Sequence, residues 1–451
     1  MSYRFSIQGG RRWRCRGGGV GLGLVMLLGL GRLSAQDWAR ANYEAPAVAE
    51  VAPAGAAAGA AVGGGALTSG GLHAASPGLN RPAGKVGRTA NVGPLALSLG
   101  VFGSLEYNDN VRVEPAARDG LIATGGLRFD TSYQVTQLQE LSLQGAISNR
   151  VPLTGPGRRE QLFSVAPDSA LRFNVWVGSL RLSPFIKYQR QLDPVLSPVV
   201  NGTEILDQAT FTTGLQADLP LNEATLQVLV LRERRSQQGD QTLAQTVWSR
   251  VGSVRLVRRS SATNTWTADV AWVDARLDNG PSGETESLSA AVYDDWRLSP
   301  FITVQLGGGV ARSRYRASRV VGDVAENTSP FFTVSLDHRL RENLSYVLHF
   351  QRMNERGVST NYYRLSELAL TPKYKFTKML TVESTAAWQW IQESGPTGET
   401  ATRWSVGGAL GYVVAVNLDL RLNVDRVVKH SSQSLREYGQ NRIGLSANYQ
   451  F

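Results

Sequence analysis

Apolar side chains recur at every second position over most of this chain, and that period fixes the fold class. At the C-terminus Ile443, Leu445, Ala447, Tyr449 and Phe451 alternate with small or polar residues, and the sequence stops on the aromatic ring. Upstream, Leu97, Leu99, Val101, Leu105 and Tyr107 keep the same beat, as do Leu141, Leu143 and Ile147. Trp266, Ala268, Val270 and Trp272, then Leu344, Tyr346, Leu348 and Phe350, then Leu418, Leu420, Leu422 and Val424 repeat it. Period two is a strand with one oily and one wet face, whereas a helix needs apolar spacings of three and four. The chain is all-β from residue 95 to 451.

The connections between these runs alternate in length. Short turns are expected at Thr136–Gln139, Leu182–Pro184, Pro220–Glu223, Ser260–Asn264, Leu298–Pro300, Asp337–Asn343, Tyr374–Lys378 and Ala415–Asn417. Longer polar links separate them: Asp109–Gly120, Pro152–Gln161, Leu192–Asp207, Arg234–Thr242, Asp274–Glu284, Ser313–Pro330, Asn354–Thr360, Glu393–Thr402 and His430–Glu437. Short turns on one side and long loops on the other are the pattern of an antiparallel up-and-down transmembrane β-barrel. The count gives about 18 strands, or 16 if 242–258 and the Tyr362/Tyr363 register pair otherwise. The near-repeat Arg181–Phe185 and Arg297–Phe301 (RLSPF) is read as two short turns, with Pro ending a strand.

A water-soluble β-sandwich could use the same alternation. Aromatics near strand ends (Tyr107, Phe129, Tyr133, Trp296, Trp388, Trp390, Trp404) argue for interfacial girdles instead. The expected outer faces are almost free of charge, as a barrel wall requires where Arg or Lys at mid-bilayer costs ~2–4 kcal/mol.

The N-terminus differs in kind. Arg4, Arg11, Arg12, Arg14 and Arg16 precede the uncharged apolar run Val20–Leu30, and Leu33-Ser34-Ala35 offers a cleavage site, so residues 1–35 read as an export signal. Residues 36–94, rich in Ala, Gly and Pro, cannot bury enough surface to offset chain entropy and read as a flexible periplasmic extension. The formal charge of +10 includes six arginines of the leader, so the processed chain is near balance. No concentrated basic face remains for nucleic acid. The one cysteine, Cys15, lies in the leader.

Reaction chemistry has few candidates. His73, His338, His349 and His430 are scattered, and His349 with Ser345 on its own face is read as lumen-lining rather than catalytic. Asn108-Asp109-Asn110 reads as an Asx-rich turn rather than a calcium loop. No catalytic residue, metal site or cofactor is expected. The inner face is more informative. Arg128, Arg150, Arg172, Lys187, Arg255, Arg364, Arg403, Arg421 and Arg442 oppose Glu106, Asp130, Asp269, Asp295, Asp337, Glu383, Asp419 and Asp425, nine charges against eight. Such a lining is a cross-strand charge ladder, a wet passage of weak ion preference, or both.

Leu105–Val111, with Tyr107, Asp109, Asn110 and Val111, followed by Gly126–Asp130, resembles the β-barrel porin 2 family of Gram-negative outer membranes; Arg112 stands where relatives often carry an aromatic. The resemblance implies an outer-membrane barrel, and some relatives accompany exopolysaccharide export. The expectation is a porin-like channel passing small hydrophilic solutes or an exported glycan. The alternative is a structural or binding barrel with a blocked lumen, associated with polysaccharide export proteins. Expected partners are outer-membrane lipid and lipopolysaccharide, and the barrel-assembly machinery through Tyr449 and Phe451 of the last strand.

Overall fold

The computed structural model describes residues 90–111, 117–155, 162–191, 207–238, 245–277, 284–316, 322–356, 360–396 and 398–451. The expected leader, nearly all of the extension and positions 192–206 lie outside them. Strands are β1 (Ala90–Val92), β2 (Leu95–Asn108), β3 (Gly120–Thr136), β4 (Gln139–Pro152), β5 (Leu162–Val165), β6 (Ala170–Val177) and β7 (Leu180–Gln191). They continue with β8 (Asp207–Leu221), β9 (Ala224–Gln238), β10 (Gln245–Arg259), β11 (Asn264–Leu277), β12 (Thr285–Ser299), β13 (Ile302–Tyr315) and β14 (Glu326–Arg341). The last six are β15 (Leu344–Arg356), β16 (Tyr362–Lys375), β17 (Leu380–Glu393), β18 (Thr400–Ala415), β19 (Leu418–Ser431) and β20 (Tyr438–Gln450).

Apart from β5 and β6, every strand pairs antiparallel with the next, and β20 returns to β2 with Leu445 opposite Leu105, which closes the sheet. β1 folds back on β2, starting the sheet inside the segment expected to be unstructured. β5 and β6 are two pieces of one stave, since β4 and β7 each pair with both. The wall therefore has 18 staves.

The polarity of the wall is inverted relative to a soluble protein. Leu127, Val406 and Leu445 are about half exposed (52%, 52% and 54%), while Ser98, Asp269 and Gln440 on the opposite phase are 3%, 4% and 1% exposed. Closure makes the buried polar phase the inner face. Bulky inner aromatics lie down on glycines of neighbouring strands. A Cβ at Gly214 would fall 2.6 Å from the Phe185 ring, and one at Gly309 would fall 2.8 Å from the ring of Phe331. Phe102 covers Gly126 and Tyr293 covers Gly307 in the same way.

Two expectations need correction. The stretch Leu182–Pro184 is not a turn but lies inside β7; the turn is at 178–179. Proline is tolerated there because the β6–β7 ladder is interrupted between the pairs Arg172–Phe185 and Val175–Leu182. Only the second RLSPF copy sits at a turn. The outer wall is also not uniformly free of charge. On β9–β14 the outward phase carries Arg232, Arg250, Asp274, Glu286, Arg314 and Glu326, opposite one another in register.

Candidate functional site

The inner wall is organised as lateral rows, because residues paired across antiparallel strands share both face and height. One row, toward the long connections, runs Gln351–Glu367–Gln389–Arg403–Lys429 over β15–β19. Gln351 Nε2 donates to Glu367 Oε1 at 3.4 Å, Gln389 donates to the other Glu367 oxygen, and Arg403 Nη1 donates to Gln389 Oε1 at 3.1 Å. Lys429 Nζ lies 2.8 Å from Glu399 with both side chains fully buried. Arg436 Nη1 reaches Glu393 at 2.9 Å and Glu399 at 3.0 Å, so the loop bases after β17 and β19 are tied to the wall. Buried charges of this kind are tolerable only when paired and hydrogen-bonded.

A second row lies nearer the short turns. Arg181 meets Asp218 at 2.6 Å, Gln216 Nε2 donates to Asp218 at 2.9 Å, and Arg255 meets Asp269 at 3.2 Å. On the same strands, four residues farther toward the long connections, Phe185, Gly214, Leu231, Val251 and Val273 form an apolar stripe in register. Next to it, Arg172 and Lys187 border a cavity of about 110 Å³ with Thr212 and Glu233.

Most charges singled out in the sequence fall on the inner phase, and several meet. Glu106 lies 4.0 Å from Arg150, Glu383 lies 4.0 Å from Lys373, and Asp425 lies 3.9 Å from Arg442. Arg128 stands over the Phe102 ring, Asp130 faces Ser98 and Gln144, and Asp295 accepts from Gln305 at 2.6 Å. Arg421 Nε donates to Asn423 at 2.8 Å, and Asp419 faces Asn448. Arg364 is the exception. It shares its phase with the exposed Leu368 and Leu370, whereas Tyr363, Leu365 and Glu367 are buried on the other face. The outward placement leaves eight against eight among the charges named. Sequence reasoning missed Arg181, Asp218, Glu367, Glu393, Glu399, Lys429 and Arg436. The odd-numbered phase of β19 (Asp419, Arg421, Asp425) was the available signal for Lys429.

His349 faces inward between Ser335 and Ala369, and Ser345 lies four residues along the strand, about 13 Å away at ~3.3 Å per residue. That separation forbids proton transfer between them. Asn108-Asp109-Asn110 clasps the barrel seam. The Asn110 N–H donates to Asn108 Oδ1 at 2.9 Å, Gln440 Nε2 donates to the Asn110 carbonyl at 2.8 Å, and the Asn441 N–H donates to Asp109 at 2.6 Å. At the other end of the seam the Phe451 N–H donates to the Leu99 carbonyl at 2.9 Å, and its ring meets Tyr449 edge-on.

No family model and no curated protein matches the chain. Solved structures do. A BenF-like porin from Pseudomonas fluorescens Pf-5 aligns with a TM-score of 0.50 at 11% identity, over 79% of this chain and 98% of that one. Pseudomonas aeruginosa OccK9 (OpdG) aligns at 0.49 and 14%, and Acinetobacter baumannii OccAB4 at 0.48 and 10%, each over 79% of this chain and 98% of theirs. The fold is that of an outer-membrane porin. A porin fold places the long connections together at one end of the wall and the short turns at the other, as the strand order here requires.

Proposed function

We propose that the protein is an outer-membrane channel for passive passage of small hydrophilic solutes. One observation carries the reading: a closed wall whose outer phase exposes aliphatic side chains while its inner phase is lined by hydrogen-bonded charged and amide groups. Barrels of 16–18 strands usually leave an aqueous channel. The inner charges proposed to line it are Arg128, Arg150, Arg172, Lys187, Arg403 and Arg421 with Glu106, Asp130, Glu383 and Asp419. Together with Arg255, Arg442, Asp269, Asp295, Asp337 and Asp425 they stand eight against eight, which sets weak ion selectivity. An exported glycan is a second cargo class, and the amide and hydroxyl groups of the inner rows suit it. On this reading residues 1–35 direct export and are removed, and the Tyr449–Phe451 end engages the assembly machinery.

A blocked lumen is the competing reading, favoured by the loop bases that Arg436, Glu393 and Glu399 hold against the wall. Such a barrel serves polysaccharide export machinery as a structural or binding partner. Single-channel recording in planar bilayers separates the two. Discrete conductance with a solute-size cutoff in liposome swelling supports the channel, and a correctly folded barrel that never conducts removes it.

A further inference from the structure

The outer wall of β9–β11 has a sector that does not suit acyl chains. Arg232, Arg234, Arg250 and Arg276 are exposed on the outward phase of β9–β11, in the half of each strand nearest the long connections. They surround Trp248. Arg234 and Arg276 are its cross-strand partners, Arg250 lies two residues along, and the guanidiniums of Arg232 and Arg234 stand 4.6 and 5.1 Å from the ring centre. Arg232 and Arg250 face each other directly, a like-charge pairing that is unfavourable without an anion between them. Asp274, the cross-strand partner of Arg250, pairs with Arg276 of the cluster at 3.4 Å, while among the described residues Glu326 pairs with Arg312 and Arg314, and Glu284 and Glu286 pair with Arg316.

Immediately below, Val230, Val254 and Val270 are exposed on the same strands. The surface is thus a cluster of guanidiniums and an indole set directly above an apolar strip. That is the vertical order of an anionic amphiphile, headgroup over chains. Every cation in the cluster is arginine, whose planar fork matches phosphate oxygens bidentately, and tryptophan belongs at the headgroup level.

We propose that the outward face around Trp248 is a binding site for the phosphate groups of a phosphorylated glycolipid in the outer leaflet. The site rests on the outer-membrane reading but not on an open lumen. Arg232, Arg234 and Arg250 hold phosphate oxygens, Trp248 packs against the sugar, and Val230 and Val254 meet the acyl chains.

The test uses the full chain refolded in detergent and native mass spectrometry with bisphosphorylated lipid A, its dephosphorylated form, and inorganic phosphate. The wild type should prefer the bisphosphorylated lipid to the dephosphorylated one. The variant Arg232→Gln/Arg234→Gln/Arg250→Gln should bind it about 100-fold more weakly, from roughly one kcal/mol per basic residue at a lipid surface. The matching triple lysine variant, which keeps charge but loses the fork, should fall between the two. Equal binding of both lipids, or no loss in the glutamine variant, overturns the site. Inorganic phosphate binding as tightly as the lipid overturns the lipid assignment. Arginine-dependent dimers without lipid preference mean that a protein partner covers the face, and they overturn it too. Conductance is recorded on the same preparation. Lost lipid preference with intact conductance sinks only this site, and the converse sinks only the channel.

Discussion

The upper wall of β9–β11 and the wall of β17–β20 are built from the same alternation with different outward residues. On β17–β20 the outward phase is Trp388, Trp390, Val406, Leu422, Val424 and Ile443, and the inward phase holds Gln389, Arg403, Lys429 and Arg442. On β9–β11 the outward phase turns to arginine, and the inward phase mixes Leu231, Val251, Val273 and Ala275 with Glu233, Arg235 and Ser249. Period two therefore reports a strand in both sectors, but only the identity of each phase reports which solvent it faces. The first sector has the polarity of a membrane wall up to the exposed Arg426 and His430 near the long connections, and the second keeps it only in the half nearest the short turns.

The largest effect that sharpens this comparison lies in the buried charges of the first sector. Glu399→Gln should destabilise the refolded barrel by about 3–5 kcal/mol, because Lys429 and Arg436 then lose a buried partner; urea titration followed by heat-modifiable gel mobility reads it. Next, Val424→Arg on the apolar outer face should cost ~2–4 kcal/mol, whereas Thr246→Lys on the outward phase beside the arginine cluster should change stability by only ~0–1 kcal/mol. Equal costs at the two positions would erase the distinction between sectors. Asn110→Ala should cost about 1–3 kcal/mol, because it removes the Nδ2 that donates to the Gly439 carbonyl across the seam at 2.9 Å. The smallest effect concerns passage. Arg172→Gln with Lys187→Gln should move the reversal potential in a salt gradient toward cation preference, since both line the inner wall.

The strand rhythm and the alternating connection lengths were legible because each is local. Nine long and eight short connections read from the sequence correspond to the 18 staves observed, even though Leu182–Pro184 was misplaced and the break at Ala166–Ser169 in one stave was not read. Pro184 misled because a proline inside a strand is silent wherever its ladder is already broken. Arg364 misled because Tyr362 and Tyr363 are adjacent aromatics that leave the phase undecided, and the neighbouring strands settle it. The buried cluster of Glu393, Glu399, Lys429 and Arg436 joins four positions across two loops, and no spacing encodes that meeting. The charged outer sector was present in the sequence as Arg232-Glu233-Arg234-Arg235, but the expected link Arg234–Thr242 assigned its end to a loop.

One phase of each strand is placed to meet lipid and the other to meet water. Thiol accessibility tests it directly, because Cys15 is the sole cysteine and Cys15→Ser gives a clean background. In reconstituted vesicles a membrane-impermeant maleimide should label Asp130→Cys and leave Leu127→Cys unmodified. It should label Arg232→Cys while sparing Val230→Cys, two residues away on the same face. Leu127→Cys reacting as fast as Asp130→Cys would contradict the lipid-facing wall.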